Sequence, residues 1–175
     1  MKNIFLCGFM GCGKSTVGKE LANLLGLSFI DMDKYIEDAA GETVSEIFGK
    51  YGERRFREYE HSASVELAAK SGIVVGTGGG AVLSDENVKA MKSGGLIVFI
   101  DVPLNVIAER LNEDTTRPLL QGPAKADAMR VLYEQRLPVY RCASDIVVSN
   151  PNNSEAIETA KKIASNPRII ELLNC

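Results

Sequence analysis

Short apolar runs alternate with segments of helical periodicity along this chain. Five runs rich in β-branched residues predict strands at residues 3–7, 28–31, 73–77, 96–102 and 145–148. Between them, apolar residues recur every three or four positions, as in helices that bury one face. The predicted helices are one that carries Val17, Leu21, Leu24 and Leu25, and others at 45–49, 53–71, 85–93, 104–111, 124–141 and 154–164. This alternation predicts an α/β fold, with a mostly parallel sheet covered by helices on both faces.

Two features interrupt the pattern in the C-terminal half. Pro138 lies inside the predicted helix at 124–141, and we expect it to kink or end that helix. Residues 112–125 are polar, contain two prolines and a glycine, and include the short run R-P-L-L. Loops of this length in compact domains are often active-site lids, so we expect residues 112–125 to form one.

Composition narrows the class of protein. A chain of 175 residues with 45% hydrophobic residues is expected to fold as one domain, residues 1–175. Its net charge of −3 argues against a nucleic-acid surface. No apolar run approaches the ~20 residues that span a bilayer, and the N-terminus lacks a signal-peptide pattern. The four cysteines lack metal-ligand spacing and are expected to be reduced thiols, so we expect a cytoplasmic protein without membrane contacts.

One motif lies between the first predicted strand and the first helix. Residues 8–15 read G-F-M-G-C-G-K-S, and glycines at this spacing let the backbone point its N–H groups at phosphate oxygens. Lys14 can reach the β- and γ-phosphates, and the Ser15 hydroxyl can bind Mg²⁺. The helix that begins near Lys14 turns its positive end toward the same anion. The motif predicts nucleotide-phosphate binding, with no assigned role for the Cys12 thiol.

Two acids follow the second predicted strand. Asp31 and Asp33 are expected to share a face of an extended segment, at the strand end where ligands bind in parallel α/β sheets. One can order water around Mg²⁺, and the other can accept a hydroxyl proton. The alternative interpretation is that one of them caps the following helix.

The next candidates are an arginine and a run of glycines. Arg57 is three residues from Glu60 on a charged helix, so the two can pair, and its guanidinium suits a substrate carboxylate. A solvated charged face is the simpler interpretation of that helix. The third strand ends at Thr77, where related phosphate-loop proteins carry an acid, and continues into three glycines at 78–80. Consecutive glycines allow close approach of backbone to ligand, so we expect a binding wall there.

The C-terminal half contributes further arginines. Arg117 lies in the expected lid, where it can stabilise charge on a transferring phosphoryl group. Arg136 follows the lid and can supply a second carboxylate contact. For any single arginine, solubility is the competing explanation. His61 is the only histidine and is expected to be structural, so no histidine metal cluster is available.

Taken together, these motifs resemble the shikimate kinase family. The resemblance runs from the first strand to about residue 148 and rests on six motifs in order. They read G-F-M-G-C-G-K-S-T at 8–16, D-M-D at 31–33, F-R-E-Y-E at 56–60, G-G-G-A at 78–81, R-P-L-L at 117–120 and R-L-P-V-Y-R at 136–141. The phosphate loop alone indicates only a phosphate-loop kinase, whereas the combination is specific.

The resemblance implies a fold, a reaction and a set of roles. The implied fold is a three-layer α/β sandwich with five parallel strands in the order 2-3-1-4-5. The implied reaction transfers phosphate from ATP to the 3-hydroxyl of shikimate, on the pathway to chorismate, with Mg²⁺ as cofactor and a monomeric enzyme. The implied catalytic residues are Lys14, Asp33 and Arg117. Shikimate is held in a subregion at about 32–60 and by residues beyond it, the implied contacts being Asp33, Arg57, Gly79, Gly80 and Arg136.

The remaining implied roles concern the nucleotide and the metal. Arg110 lies against adenine, Glu60 orients Arg57, and Asp31 joins Ser15 at the metal as an outer-shell group. The implied ATP contacts are Gly11, Cys12, Gly13, Lys14, Ser15, Thr16, Arg110 and Arg117. One departure is the loop at 149–153, which lacks the arginine that the family often carries on the adenine side. Backbone or asparagine contacts are expected to replace it.

Two other functions compete with this one. A related small-molecule kinase acting on gluconate or a nucleoside monophosphate would use the same phosphate loop. A monophosphate acceptor would need more positive charge and base-reading groups than this chain offers. The second competitor is a regulatory module that binds ATP without transferring phosphate. The paired acids and the short lid argue against that module.

Overall fold

The computed structural model describes residues 2–113, 123–151 and 154–174. Its centre is a five-stranded parallel sheet in which the strand order is β2-β3-β1-β4-β5. Strands β1 to β5 span Asn3–Cys7, Ser28–Asp31, Ile73–Gly76, Gly95–Asp101 and Ile146–Ser149. The number of strands and their order are as expected, and each strand end lies within one residue of its prediction.

Helices cover both faces of the sheet, and none of those described is long and apolar enough to cross a membrane. Helices α1 to α8 span Lys14–Leu25, Met32–Ala40, Val44–Ala68, Asp85–Gly94, Leu104–Glu113, Pro123–Ala143, Ala156–Ala164 and Pro167–Asn174. The strands and helices confirm the three-layer α/β sandwich. Helices α2 and α8 were not among the helices predicted from apolar spacing.

Predicted breaks in two helices have different outcomes. The helices predicted at 45–49 and 53–71 correspond to the two parts of α3, which meet at a kink where Gly52 adopts a left-handed φ of 76°. Thr43 precedes α3 and caps its N-terminus in a capping box, in which Thr43 and Glu46 exchange hydrogen bonds. Helix α6 continues past Pro138 to Ala143, so of the two expected effects of this proline, a kink or an end, the end is excluded.

The direction of each crossover decides which helix covers which face. From β1 the chain crosses one way to β2, and from β2 to β3 and β4 it returns the other way. Right-handed crossovers therefore place α1 on one face and α3 with α4 on the other. The contacts agree, because α1 packs against α7, whereas α3 packs against α4.

The sheet is buried on both faces at its centre, and its carboxyl edge carries the polar residues. Every residue of β1 and β3 is buried, while the edge strand β5 alternates buried and exposed positions. The parallel strands end together at one edge. The phosphate loop after β1, Asp31 at the end of β2 and the glycines after β3 therefore meet there.

Candidate active site

The loop at residues 8–13 joins β1 to α1 and has the shape of an anion-binding nest. Gly11 and Gly13 adopt φ values of 75° and 95°, which only glycine adopts at little cost. The Cys12 N–H donates to the Phe9 carbonyl at 3.2 Å and closes the loop. Gly13 precedes α1 without a side-chain cap. The open N–H groups of the first helical turn therefore face the loop's mouth and suit a phosphate.

The Lys14 side chain folds back across this loop and is held by backbone carbonyls of the loop. Its ammonium donates to the carbonyls of Gly8 at 2.9 Å and Phe9 at 3.1 Å, and lies 3.9 Å from the Cys12 sulfur. The Cys12 thiol is buried beneath the loop. The Cys12 N–H is used within the loop, so this residue helps to shape the nest, and its implied contact with ATP stays a prediction.

Ser15 and Asp31 place two side-chain oxygen groups that could bind a metal ion beside Lys14. The Ser15 hydroxyl donates to Asp31 Oδ2 at 2.8 Å. Asp31 Oδ1 accepts from the N–H groups of Asp33 at 3.1 Å and Lys34 at 3.4 Å, so Asp31 also caps α2. The capping interpretation is therefore confirmed for Asp31, which also contacts the phosphate-loop serine, while its role at a metal stays a prediction.

The Ser15 hydroxyl and the Asp31 carboxylate suit Mg²⁺ better than a metal ion whose ligands all come from the protein. Mg²⁺ prefers oxygen ligands and binds through one or two protein groups, with substrate phosphates and water completing the shell. In the described ranges no cluster of three or more histidine, cysteine or acidic side chains is suited to a metal. A serine hydroxyl and one carboxylate are therefore the appropriate donor set here.

Asp33 faces the same cavity as Asp31 for a different reason from the one expected. The expectation that both acids share a face of an extended segment is wrong, because α2 begins at Met32 and Asp33 lies in its first turn. The cavity is lined by both acids together with Lys14, Ser15, Thr77 and Gly79. Part of the Asp33 side chain reaches solvent, but protein atoms surround its carboxylate on the cavity side. The resulting loss of hydration raises the pKa of Asp33, and the negative charge of the nearby Asp31 raises it further. Lys14 acts in the opposite direction, and the net effect is a more basic carboxylate.

Gly78, Gly79 and Gly80 are here called the glycine wall, and at the first and third of them functional groups occupy the space that a Cβ would need. A Cβ on Gly78 would lie 2.9 Å from Asp33 Oδ1 and 3.0 Å from Glu60 Oε1. A Cβ on Gly80 would lie 2.5 Å from Arg57 Nη1. Within the described residues, the N–H groups of Gly79 and Gly80 pair with no acceptor. The wall therefore brings charged side chains close and leaves backbone donors for a ligand.

The strand before this wall ends without an acid. The Thr77 hydroxyl donates to the Leu6 carbonyl at 3.0 Å, and the Thr77 N–H donates to the same oxygen. Thr77 thus ties the ends of β1 and β3 together. It is buried against the sheet.

Arg57 lies between two carboxylates of its own helix. Its Nη1 donates to Glu60 Oε2 at 2.7 Å, as the spacing predicts, and its Nε and Nη2 donate to Glu53 Oε1 at 3.3 and 3.0 Å. Glu60 is only 1% exposed, and its Oε1 has no hydrogen-bond partner in the part of the chain described. Burial raises the pKa of Glu60, and Arg57 opposes that shift.

Arg136 approaches the glycine wall from the other side. Its Nη1 lies 3.5 Å from the Gly79 carbonyl, and it shares a cavity with Arg57 and Gly80. The hydroxyl of Tyr140, one helical turn further along α6, donates to the Gly79 carbonyl at 2.6 Å. Sequence reasoning assigned no role to Tyr140. The available signal was its spacing of four residues from Arg136, which places both on one helix face.

A second cavity opens on the other side of the phosphate loop. It has a volume of about 380 Å³ and is lined by Gly11, Gly13, Thr16, Arg110 and Asn150, among others. Arg110 donates from Nη1 to the Gly11 carbonyl at 3.2 Å. This cavity is the candidate position for a nucleotide base and ribose.

Asn150 belongs to the loop at 149–153, which lacks the arginine that the family often carries on the adenine side. Its Oδ1 accepts from the Ser154 N–H at 2.8 Å, and its Nδ2 donates to Thr159 Oγ1 at 3.1 Å. The Asn150 side chain is therefore committed to the loop. Asn152 and Asn153 lie outside the described residues, as do Arg117 and residues 114–122 of the expected lid.

Two other polar residues of α3 make contacts within the protein. His61 Nδ1 lies 2.8 Å from Asn87 Oδ1, in a hydrogen bond between α3 and α4, which agrees with the structural role expected for this histidine. Arg55 pairs with Glu58 at 2.7 Å on the exposed face of α3.

Comparison with known proteins identifies the family. A family model described as shikimate kinase matches residues 10–166. The shikimate kinase of Thermodesulfovibrio yellowstonii is 44% identical over 163 residues, which is 93% of each chain. The shikimate kinase of Halorhodospira halophila is 43% identical over 160 residues, covering 91% of this chain and 90% of the relative.

Solved structures agree with the sequence relatives. Shikimate kinase from Acinetobacter baumannii in complex with shikimate superposes with a TM-score of 0.84 at 38% identity, covering 93% of this chain and 90% of that one. A gluconokinase from Sinorhizobium meliloti has a TM-score of 0.61 at 19% identity, over 99% and 94% of the two chains. That second likeness shows the fold alone. The chain belongs to the shikimate kinase family.

Proposed function

We propose that the chain transfers the γ-phosphoryl group of ATP to the 3-hydroxyl of shikimate, which yields shikimate 3-phosphate and ADP. Membership of the family makes the chain an ATP-dependent phosphotransferase. The observation that carries the choice of acceptor is the cluster of Asp33, Arg57, the glycine wall and Arg136 beside the phosphate loop. It combines a carboxylate for hydroxyl groups, two guanidinium groups for an acid and backbone donors between them.

On the nucleotide side, the backbone nest and Lys14 hold the phosphates, and Arg110 lines the cavity proposed for the base. Thr16 borders both cavities. Ser15 and Asp31 are the groups that would hold Mg²⁺, with Asp31 acting through water. When bound, the metal supplies positive charge that offsets charge on the phosphate oxygens.

On the acceptor side, Asp33 is the general base. It takes the proton of the 3-hydroxyl while that oxygen forms its bond to the γ-phosphorus, and the bond from phosphorus to the ADP oxygen breaks. The raised pKa of Asp33 suits a group that accepts a proton. Arg57 and Arg136 bind the substrate carboxylate, and the N–H groups of Gly79 and Gly80 donate to substrate oxygens. Glu60 holds Arg57 in place.

Further roles follow from the same proposal. Arg117, on a lid at about 112–125, neutralises charge on the transferring phosphoryl group. The acceptor subregion extends over about residues 32–60 within a single domain, and the enzyme works as a cytoplasmic monomer.

A coupled ADP-release assay tests this function. The acceptors to compare are shikimate, quinate, gluconate, AMP and CMP, each with ATP and Mg²⁺. Turnover with shikimate that exceeds all others is the expected result. Preferred turnover of gluconate or a monophosphate would replace the proposed acceptor, and ATP binding without transfer to any acceptor would indicate a regulatory module.

A further inference from the structure

Tyr140 occupies a position that the reaction as described does not use. Its ring is 1% exposed and lies against Phe99 of β4, with ring centroids 5.3 Å apart. Its hydroxyl donates to the Gly79 carbonyl at 2.6 Å. Burial raises the pKa of Tyr140 to about 12, so the hydroxyl keeps its proton across the physiological range. Tyr140 is therefore a permanent donor fixed by packing on the sheet.

The group that Tyr140 holds is part of a rigid peptide unit. The Gly79 carbonyl and the Gly80 N–H belong to one planar trans peptide, in which they point in opposite directions. A hydrogen bond that draws the carbonyl toward α6 therefore directs the Gly80 N–H away from α6. That N–H has no acceptor among the described residues.

The glycine wall needs such a restraint more than an ordinary loop does. Glycine populates a wider range of backbone angles than other residues, so three glycines in succession do not fix their own peptide planes. At Gly78 and Gly80 a Cβ would displace charged side chains, so side chains at those two positions cannot supply the rigidity. The N–H groups of Ala81 and Leu83 hold the carbonyls of Gly78 and Gly80, and the Tyr140 hydroxyl supplies the corresponding restraint for the Gly79 carbonyl.

The same hydrogen bond also affects Arg136. Its Nη1 lies 3.5 Å from the Gly79 carbonyl that Tyr140 already occupies at 2.6 Å. A carbonyl oxygen can accept two hydrogen bonds, so the Tyr140 hydroxyl and Arg136 Nη1 share it, which leaves the other N–H groups of the guanidinium for another acceptor. A substrate carboxylate is the natural one.

We propose that Tyr140 is a positioning residue for the acceptor: its hydroxyl orients the Gly79–Gly80 peptide and, through the shared Gly79 carbonyl, positions Arg136 for the substrate carboxylate. This inference rests on the proposed function, because it assigns the oriented groups to shikimate. It concerns the acceptor half of the site only, and it requires the hydroxyl rather than the ring.

The test compares Tyr140→Phe with Tyr133→Phe. Tyr133 lies on the same helix, and its hydroxyl donates at 3.1 Å to the Val102 carbonyl, away from the wall. Both variants keep an aromatic ring and lose one hydroxyl bond. Loss of Tyr140's bond is expected to raise the KM for shikimate about threefold to tenfold, with the KM for ATP within about twofold of wild type. Tyr133→Phe should leave both KM values within about twofold.

A second readout separates positioning from stability. In ¹⁵N-labelled protein, the Gly80 amide resonance should shift in Tyr140→Phe and keep its position in Tyr133→Phe. An unchanged shikimate KM in Tyr140→Phe, or an equal rise in the KM values of both substrates, would overturn the inference. Failure of the wild type to phosphorylate shikimate would instead remove the proposed function, so the two failures are distinct.

Discussion

The phosphate half and the acceptor half of this site are built in different ways. The phosphate half comes from one continuous segment, residues 8–15, in which backbone and Lys14 contact each other. The acceptor half joins Asp33 from α2, Arg57 from α3, the glycine wall after β3 and Arg136 from α6. The first half is therefore specified locally, whereas the second exists only when four elements pack correctly.

The two halves also differ in how they carry charge. In the phosphate half a single cation lies on backbone carbonyls, so its positive charge is available to a phosphate. In the acceptor half Arg57 already contacts Glu53 and Glu60, and Asp33 lies near Glu60 across Gly78. An acceptor therefore meets an Arg57 that is already paired with carboxylates, whereas a phosphate meets a Lys14 that is bound to neutral carbonyls. Variants in the two halves should separate the binding of the two substrates.

Asp33→Asn is expected to have the largest effect, confined to the acceptor half. Asparagine keeps the shape of the side chain and can bind a hydroxyl, but it cannot accept the proton. We expect kcat to fall by about 10²- to 10⁴-fold, with the ATP KM little changed. Steady-state kinetics with both substrates measure this. Asp38→Asn, on the exposed face of the same helix, is the control and should retain activity. An unchanged kcat with a raised ATP KM would place Asp33 in the phosphate half.

The same substitution should make the protein more stable at neutral pH. Because the pKa of Asp33 is raised, its protonated form favours folding, and that contribution is lost as the pH rises through the raised pKa. Asparagine is neutral at every pH, so Asp33→Asn should melt at a higher temperature than wild type at neutral pH. The difference should close as the pH falls toward 3.8, the ordinary value. A variant less stable than wild type at neutral pH would contradict this sign.

Lys14→Ala is the matching test in the phosphate half. Removal of a preorganised cation should lower kcat by about 10²- to 10³-fold and leave shikimate binding intact. Steady-state kinetics measure the expected loss of kcat, and calorimetry measures the dissociation constant of shikimate. Lys19→Ala, on the exposed side of α1, controls for loss of one positive charge. Retention of more than half the wild-type rate would rule out the phosphate-loop role of Lys14.

The contrast between the halves also explains what the sequence could predict. The phosphate loop was readable because its chemistry lies within eight consecutive residues. The strand bounds were readable because buried parallel strands are nearly continuous apolar runs. Helix α2 was missed because only Met32 and Ile36 are buried along it, which is too few to show a period. The predicted orientation of Asp33 was wrong for the same reason, because this residue lies in the first turn of the helix that was missed.

The acceptor half needed the family resemblance, since its geometry depends on distant contacts. Tyr140 and Gly79 are 61 residues apart in sequence, and nothing local to either indicates their hydrogen bond. The glycine run predicted a binding wall, but only the packed structure shows which side chains exclude a Cβ at Gly78 and Gly80. The pairing of Arg57 with Glu60 was predictable from helical spacing.

Gly80→Ala should have an intermediate effect and tests this crowding directly. The Gly80 φ of −104° suits any residue, so the cost arises from the Cβ that would meet Arg57 Nη1 at 2.5 Å. Displacing the guanidinium should raise the shikimate KM about tenfold and spare the ATP KM. Gly49→Ala, where a Cβ meets open space on the same helix as Arg57, is the control. An equal change in both KM values would show that the wall supports the whole site.

Glu53→Gln should have the smallest effect, and in the opposite direction. Glu53 is 68% exposed and occupies the Nε and Nη2 edge of Arg57, while Glu60 takes Nη1 and Gly80 lies against the remaining edge. A substrate carboxylate that approaches the Nε and Nη2 edge of Arg57 therefore competes with Glu53. Since exposed ion pairs contribute little, removal of this competitor should lower the shikimate KM only about twofold.

The control for Glu53→Gln is Glu58→Gln, which removes a carboxylate on the same helix that pairs with Arg55 instead of Arg57. Both variants change the net charge equally, so a difference between them reports on Arg57 alone. A lower shikimate KM only in Glu53→Gln is the expected result of parallel titrations. A higher KM in that variant would show that Glu53 holds Arg57 ready for the substrate. The acceptor half would then be preorganised by its ion pairs, as the phosphate half is by its backbone.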